Sequence, residues 1–271
     1  MKKTQLTTLF HTHFKESAFR ESATEARDES LPHIRVRDAA TLIIIDSSYK
    51  TPKILMGKRA GGHKFLPDKF VFPGGAIDAC DSRLVVTENL RAPVMRKLRQ
   101  YVPASMSEAR LRGFALAAIR ETFEETGLII GRKQSARPRT RSSAWQGFFA
   151  KGARPALNNI DFIGRAITPP KRIRRFDTRF FAVDASELYH NDDPPHESQA
   201  HEGQTQGGGE LLDLHWLSLR AARKLDLPII TRMTLDYLEH RLQTPLPQRY
   251  RQPAFFFHAA HGKPHIELLN G

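Results

Sequence analysis

The sequence predicts an α/β (α+β) domain built on a mixed β-sheet flanked by helices. Three observations carry this. Short β-rich runs recur along the chain, from Ala39–Asp46 to Pro264–Leu268. Stretches with helical spacing and cap residues stand between them, Ser105–Gly127 the longest. The two kinds interleave without the regular βαβ rhythm of a Rossmann sheet. With 271 residues the chain is long enough for one large domain.

In order, residues 1–35 mix charges without a period and read as a loosely attached arm, leaving 36–271 as the domain. Ala39–Asp46 and Lys53–Gly57 flank a Ser47–Pro52 turn and predict a hairpin. Lys69–Phe72 predicts a third strand, halted by Pro73-Gly74-Gly75. Helical pieces follow in Arg83–Pro103. Ser105-x-x-Glu108 has the capping-box pattern and opens a long helix with Phe114, Ala117, Ala118 and Leu128 on its apolar side. Gly127 is placed to stop that helix. Ile160–Ile167 and Thr178–Val183 predict strands, broken by Thr168-Pro-Pro170. His190–Gly209, with almost nothing apolar, predicts a flexible loop. A strand over Glu210–Leu217, helices over Ser218–Leu225 and Pro228–Leu242, and a hairpin of Ala254–Ala260 with Pro264–Leu268 complete the chain.

A composition of 40% hydrophobic and 26% charged residues excludes wholesale disorder and collagen. Apolar runs such as Thr41–Ile45 and Ala254–Phe257 are far too short to span a bilayer, so no membrane partner is expected. Cys80 is the single cysteine, which excludes an internal disulfide and a cysteine-based zinc site; it reads as a small filler. The first residues lack a secretory apolar stretch and the last carry no prenylation or peroxisomal address, so a cytoplasmic location is the expectation. His11-x-His13 is the one metal-like histidine spacing and falls in the arm.

The formal charge of +13 favours anionic partners without choosing among nucleotides, nucleic acid and acidic surfaces. Gly131–Arg141 and Lys171–Arg179 together carry +9 of it; each reads equally as a solvated loop or as an anion-facing segment. No basic motif interleaved with aromatics points to RNA, so a small nucleotide is the expected partner. Dimerisation is left open, a homodimer included.

Arg120-Glu-Thr-Phe-Glu-Glu-Thr-Gly-Leu128 is the informative segment. Residues three and four apart share a helix face, so Glu121, Glu124 and Glu125 project carboxylates to one side. A divalent cation would relieve their repulsion, and an all-oxygen donor set suits Mg²⁺ or Mn²⁺ rather than zinc. Read alone, the segment is first of all an exposed acidic face on which Arg120 pairs with Glu124.

With the Phe70-Val-Phe-Pro-Gly-Gly75 turn upstream, the sequence resembles the Nudix hydrolase family. The signature is Gly, five residues, Glu, seven residues, then Arg-Glu-U-x-Glu-Glu-x-Gly-U, with U bulky and aliphatic. Gly75, Arg120, Glu121, Glu124, Glu125, Gly127 and Leu128 match it one for one. Asp81 stands at the first glutamate, Thr122 at the aliphatic, and Gly75 to Arg120 is 31 residues longer than the pattern. The extra length, 82–112, is similar to a subgroup that includes peroxisomal coenzyme A diphosphatases and bacterial relatives. Met56-Gly-Lys-Arg59, Phe65-Leu-Pro67, Arg175–Phe181 and Asp213–Leu217 also look like that subgroup.

The resemblance implies an α/β/α sandwich with an inserted helical segment and a pyrophosphohydrolase using Mg²⁺ or Mn²⁺. It implies Glu121, Glu124 and Glu125 as metal ligands and Arg120 as the residue that orients a glutamate. Gly74 and Gly75 would bring backbone to the metal–phosphate cluster. Glu121 and Glu210 are both candidates for the general base. Arg59 and Arg179 are candidates to clamp a diphosphate. Coenzyme A or an acyl-coenzyme A is the first substrate expectation. ADP-ribose, NADH or a dinucleotide is the alternative, and an RNA- or nucleotide-binding module or decapping enzyme the second.

Overall fold

The computed structural model describes residues 34–59, 69–134, 138–189, 211–260 and 263–271. The arm up to residue 33, Phe65-Leu-Pro67, the His190–Gly209 loop, Glu210 and the His261-Gly262 turn lie outside the described residues.

The central strand is β1, Arg37–Asp46. Its continuous apolar run requires cover on both faces, as in buried strands of mixed and parallel sheets. Ala40, Leu42 and Ile44 enter one hydrophobic cluster, and Ile43 and Ile45 enter another on the opposite face. One edge of β1 pairs in parallel with β8, Phe176–Asp184, from Arg37 to Ile45. The other edge is divided. Ala39–Thr41 pair with β4, Gly74–Ala76, while Ile45 and Asp46 pair with β2, Lys53–Arg59. The expected β1–β2 hairpin therefore exists only next to its turn. Beyond it, β2 runs along β9, Leu211–Ser218, and meets β3, which is only Phe70–Val71.

The remaining strands are β5 (Gly131–Lys133), β6 (Ala153–Pro155), β7 (Asp161–Ile167), β10 (Ala254–Ala260) and β11 (Lys263–Leu269). The main sheet runs β11-β10-β7-β8-β1-β2-β3, with β4 on β1 and β9 on β2. β1–β8 and β7–β10 are its parallel pairs, so the sheet is mixed as predicted. Pro264, which lacks an N–H, sits on the terminal strand.

Helices cover both faces. On one lie α2 (Ala92–Leu98), α3 (Glu108–Thr126) and α4 (Ser143–Ala150), and on the other α5 (Leu219–Ala222) and α6 (Ile229–Leu242). Among the described residues two further short α-helices are α1 (Ala79–Arg83) and α7 (Leu246–Arg249). Among the described residues no helix is long and apolar enough to cross a membrane.

Two expectations need correction here. The cap of α3 is Ser107, not Ser105, because the Ser107 hydroxyl accepts from the Arg110 N–H at 3.2 Å. The reciprocal capping box instead opens α1, where Asp78 accepts from Cys80 N–H and Asp81 accepts from Asp78 N–H. The basic window from Gly131 is not simply a loop: its first three residues form β5, pinned by β6.

The inserted segment is fastened to the body by Lys97 on α2. Its buried ammonium donates to Asp161 Oδ1 at 2.9 Å and to the Phe162 carbonyl at 2.8 Å, while Arg241 holds the other Asp161 oxygen. Burial, only partly offset by Asp161 and reinforced by Arg241, pushes the Lys97 ammonium down to about 8. Between that value and the ordinary lysine range the unfolded chain binds the extra proton, so this residue's contribution to stability rises with pH there. The slope is at most about 1.4 kcal/mol per pH unit for one proton. Urea denaturation of wild type and Lys97→Met at pH 7.5 and 9.5 checks this: the variant's stability should rise less across the interval.

Candidate active site

The division of β1 creates the site. Leu42 N–H donates to the Pro73 carbonyl at 3.0 Å, and Gly74–Ala76 then lies between β1 and the carboxyl-terminal half of α3. Gly127, at φ 74°, ends α3 by donating its N–H to the Phe123 carbonyl. Phe114, Ala117 and Ala118 are fully buried, and Glu121 and Glu125 continue along the helix toward the glycine turn. The Gly74 N–H donates to Glu125 Oε2 at 2.9 Å. A Cβ on Gly75 would stand 2.5 Å from the Glu121 carboxyl carbon, so glycine is required for this approach. Thr122, the departure from the signature's aliphatic, is buried with its hydroxyl donating to the Ala118 carbonyl one turn back.

Arg120 is the hub. Its Nε and Nη2 donate to the two oxygens of Asp81 at 2.9 and 3.0 Å. Nη1 reaches Glu121 at 2.8 Å and Glu124 at 2.6 Å, and Nη2 also reaches the Ala76 carbonyl at 3.0 Å. Asp81 is fully buried, at the far end of the 31-residue extension in sequence yet against Arg120 in space. Its carboxylate also accepts from Asp78 N–H at 2.8 Å and from the indole N–H of Trp145 at 3.0 Å. The approach of α1 to α3 that allows this depends on Gly113, where a Cβ would stand 2.6 Å from Ser82 Oγ and 3.1 Å from Ser82 Cα.

Burial alone would lower the Arg120 guanidinium, but Asp81 and Glu121 outweigh it and hold its pKa above the usual arginine value. Burial raises Glu121, opposed by Arg120 and reinforced by Glu124 and Asp81. Three carboxylates thus surround one guanidinium, and the excess negative charge with oxygen-only donors fits a hard divalent cation. The expected ligand trio is not gathered in one place, however. Among the described residues no three His, Cys, Asp or Glu converge as an ion-holding group. The reason is visible: Glu121 and Glu124 turn to Arg120, and Glu125 turns to the glycine turn.

Arg179, opposite Ala40 of β1, is 2% exposed; it pairs with Asp38 and Asp177 and stacks 3.8 Å over the Phe114 ring. Arg59 closes β2 opposite Leu211, and Glu210 lies outside the described residues. Sequence reasoning missed Trp145, whose residue type on a short aromatic helix signals only packing. It also gave Asp81 no partner.

The fold and site define a class: an α/β/α sandwich in which a glycine turn faces a glutamate-rich helix. No family model matches the chain. A Caenorhabditis elegans protein that carries the name nudix hydrolase 7 is 31% identical over 93 residues, 34% of this chain. That match spans only 22% of the relative's length. The crystal structure of a Nudix hydrolase from Alicyclobacillus acidocaldarius is 27% identical, with a TM-score of 0.56, covering 78% of this chain and 96% of that one. The chain has the mixed α/β fold of that Nudix structure, and both likenesses support the Nudix hydrolase family.

Two outcomes follow from the α1–α3 contact. Gly113→Ala should cost about 1–3 kcal/mol in urea denaturation, because the added methyl must push Ser82 away. Cys80 beside Asp81 has its thiol pushed up to about 11, chiefly by burial with Asp78 and Asp81 adding. Its alkylation at pH 8 should run roughly 10-fold slower than in the urea-unfolded chain, as judged by mass spectrometry.

Proposed function

We propose that this protein is a Nudix-type pyrophosphohydrolase that cleaves the diphosphate linkage of a nucleoside diphosphate joined to another group. The observation that carries the reading is the seating of Glu121 and Glu125 directly against Gly74 and Gly75. Glu121, Glu124 and Glu125 would hold Mg²⁺ or Mn²⁺. When bound, the cation supplies the positive charge that a diphosphate and its developing oxyanions need.

The chain's own residues do the rest. Arg120, held in place by Asp81, keeps Glu121 and Glu124 from repelling each other out of position. Gly74 N–H orients Glu125. Burial keeps a Glu121 carboxylate oxygen more basic than an ordinary glutamate, which suits acceptance of a proton from water. Glu210 is the other candidate for that proton.

Coenzyme A or an acyl-coenzyme A is the substrate class we place first. The extended box is similar to that of coenzyme A diphosphatases, and the +13 charge suits a substrate with a phosphate beyond the diphosphate. ADP-ribose, NADH and dinucleoside polyphosphates are the competitors. Mass spectrometry of products after incubation of each with Mg²⁺ or Mn²⁺ tests the reading. Release of 4′-phosphopantetheine is expected. Preferential cleavage of another compound keeps the chemistry and discards the substrate, and no cleavage with either metal overturns the hydrolase reading. Glu125→Gln should lower kcat by two orders of magnitude or more with the circular dichroism spectrum unchanged; a folded, fully active variant contradicts the assignment.

A further inference from the structure

Trp145 lies outside every motif that identifies the site, yet its indole N–H ends on the site's central carboxylate. The ring is fully buried and fixed by aromatic neighbours, with Phe148 at 5.3 Å and Phe149 at 5.9 Å between centroids. Phe148 in turn meets Phe123 of α3 edge-on at 5.4 Å, so α4 is locked against the glutamate helix. The Ser142 hydroxyl caps α4 by accepting from the Trp145 N–H of the backbone. Packing alone would be served by phenylalanine. What tryptophan adds is one rigid donor, and a buried indole N–H needs an acceptor.

The acceptor it meets is Asp81 Oδ1, the same oxygen that receives Arg120 Nε. Asp81 accepts four hydrogen bonds of 3.0 Å or shorter, from Asp78 N–H, Arg120 Nε and Nη2, and Trp145 Nε1. That set fills a carboxylate's accepting directions and leaves it one orientation. An aspartate is a methylene shorter than the glutamate of the family signature. Here the shortfall is met by two features: Gly113, which lets α1 come close, and Trp145, which closes the carboxylate's free side.

We propose that Trp145 is a positioning residue of this site: its indole N–H fixes Asp81, Asp81 fixes Arg120, and Arg120 sets where Glu121 and Glu124 stand. The inference rests on the hydrolase reading above and adds a residue to it. Outer hydrogen-bond partners of this kind typically carry a 10- to 100-fold effect on metal affinity or activity.

The test replaces Trp145 by its benzothienyl analogue, in which sulfur takes the place of N–H and the ring shape is kept, with Trp145→Phe as a second variant. Expected are a melting temperature within a few degrees of wild type, Mn²⁺ binding about tenfold weaker by electron paramagnetic resonance, and kcat about tenfold lower with KM changed less than twofold. A merely structural role would not separate kcat from KM in this way. If both variants are folded and keep wild-type Mn²⁺ affinity and kcat, the proposal is overturned. The unmodified chain supplies an independent reading, because it holds only two tryptophans, Trp145 and Trp216. On titration with Mg²⁺ alone, the indole ¹H–¹⁵N signal of Trp145 should shift. Mn²⁺ binding with a stationary Trp145 signal counts against this proposal alone, whereas a chain that binds no Mn²⁺ counts against the metal-dependent hydrolase reading.

Discussion

The buried pair of Asp81 and Arg120 is the interaction on which the site depends. A guanidinium and a carboxylate, each under one-tenth exposed, are tolerated out of water only when hydrogen bonds occupy them fully. Asp81 meets this condition with four donors, and Arg120 meets it with Asp81, Glu121, Glu124 and the Ala76 carbonyl. Removing Arg120 would leave the Asp81 carboxylate buried without a cation, and removing Asp81 would leave Arg120 to Glu121 and Glu124 alone. The pair therefore ties three things in one step: the turn after β4, the helix α1 that opens the inserted segment, and the glutamate helix α3.

The fold brings these together by dividing the edge of β1. Because Gly74–Ala76 takes over that edge from β2, the glycine turn is held by a sheet on one side and meets α3 on the other. The inserted segment does not disturb this arrangement, since it is fastened near its start and again near its middle. Near its start Asp81 is held by Arg120, and Lys97 on α2 is buried against Asp161 and the Phe162 carbonyl. An insertion between the glycine turn and the glutamate helix is thus carried outside the site, while the contact between them is kept.

Much of this was legible in the sequence. The strands around Thr41–Ile45 and Thr178–Val183 follow from short-range apolar pattern, and Gly127 stops α3 for a local reason that one residue type reveals. The glutamate segment and the glycine turn pointed to each other through a known signature. What was not legible is long-range. The partition of the β1 edge depends on which strand arrives there, and nothing in Ala39–Asp46 encodes it. Trp145 and Asp81 are 64 residues apart, and neither carries a local mark of the other. Arg179 could have been read better: Asp177 stands two residues away on the same strand face, and that spacing already offers a carboxylate partner. The α3 cap fell on Ser107 rather than Ser105 because the helix register, set by the burial of Leu111 and Phe114, decides which hydroxyl meets a free N–H.

The most direct test of the Asp81–Arg120 account is a double-mutant cycle in urea denaturation with Asp81→Asn, Arg120→Met and the pair combined. Arg120→Met leaves the buried Asp81 without its cation, Asp81→Asn takes from Arg120 its most buried partner, and the double change removes both charges, so the losses should not add. The account predicts a coupling above about 2 kcal/mol. Additive losses, within about 0.5 kcal/mol, would contradict it and leave the glutamates to be positioned by the glycine turn alone.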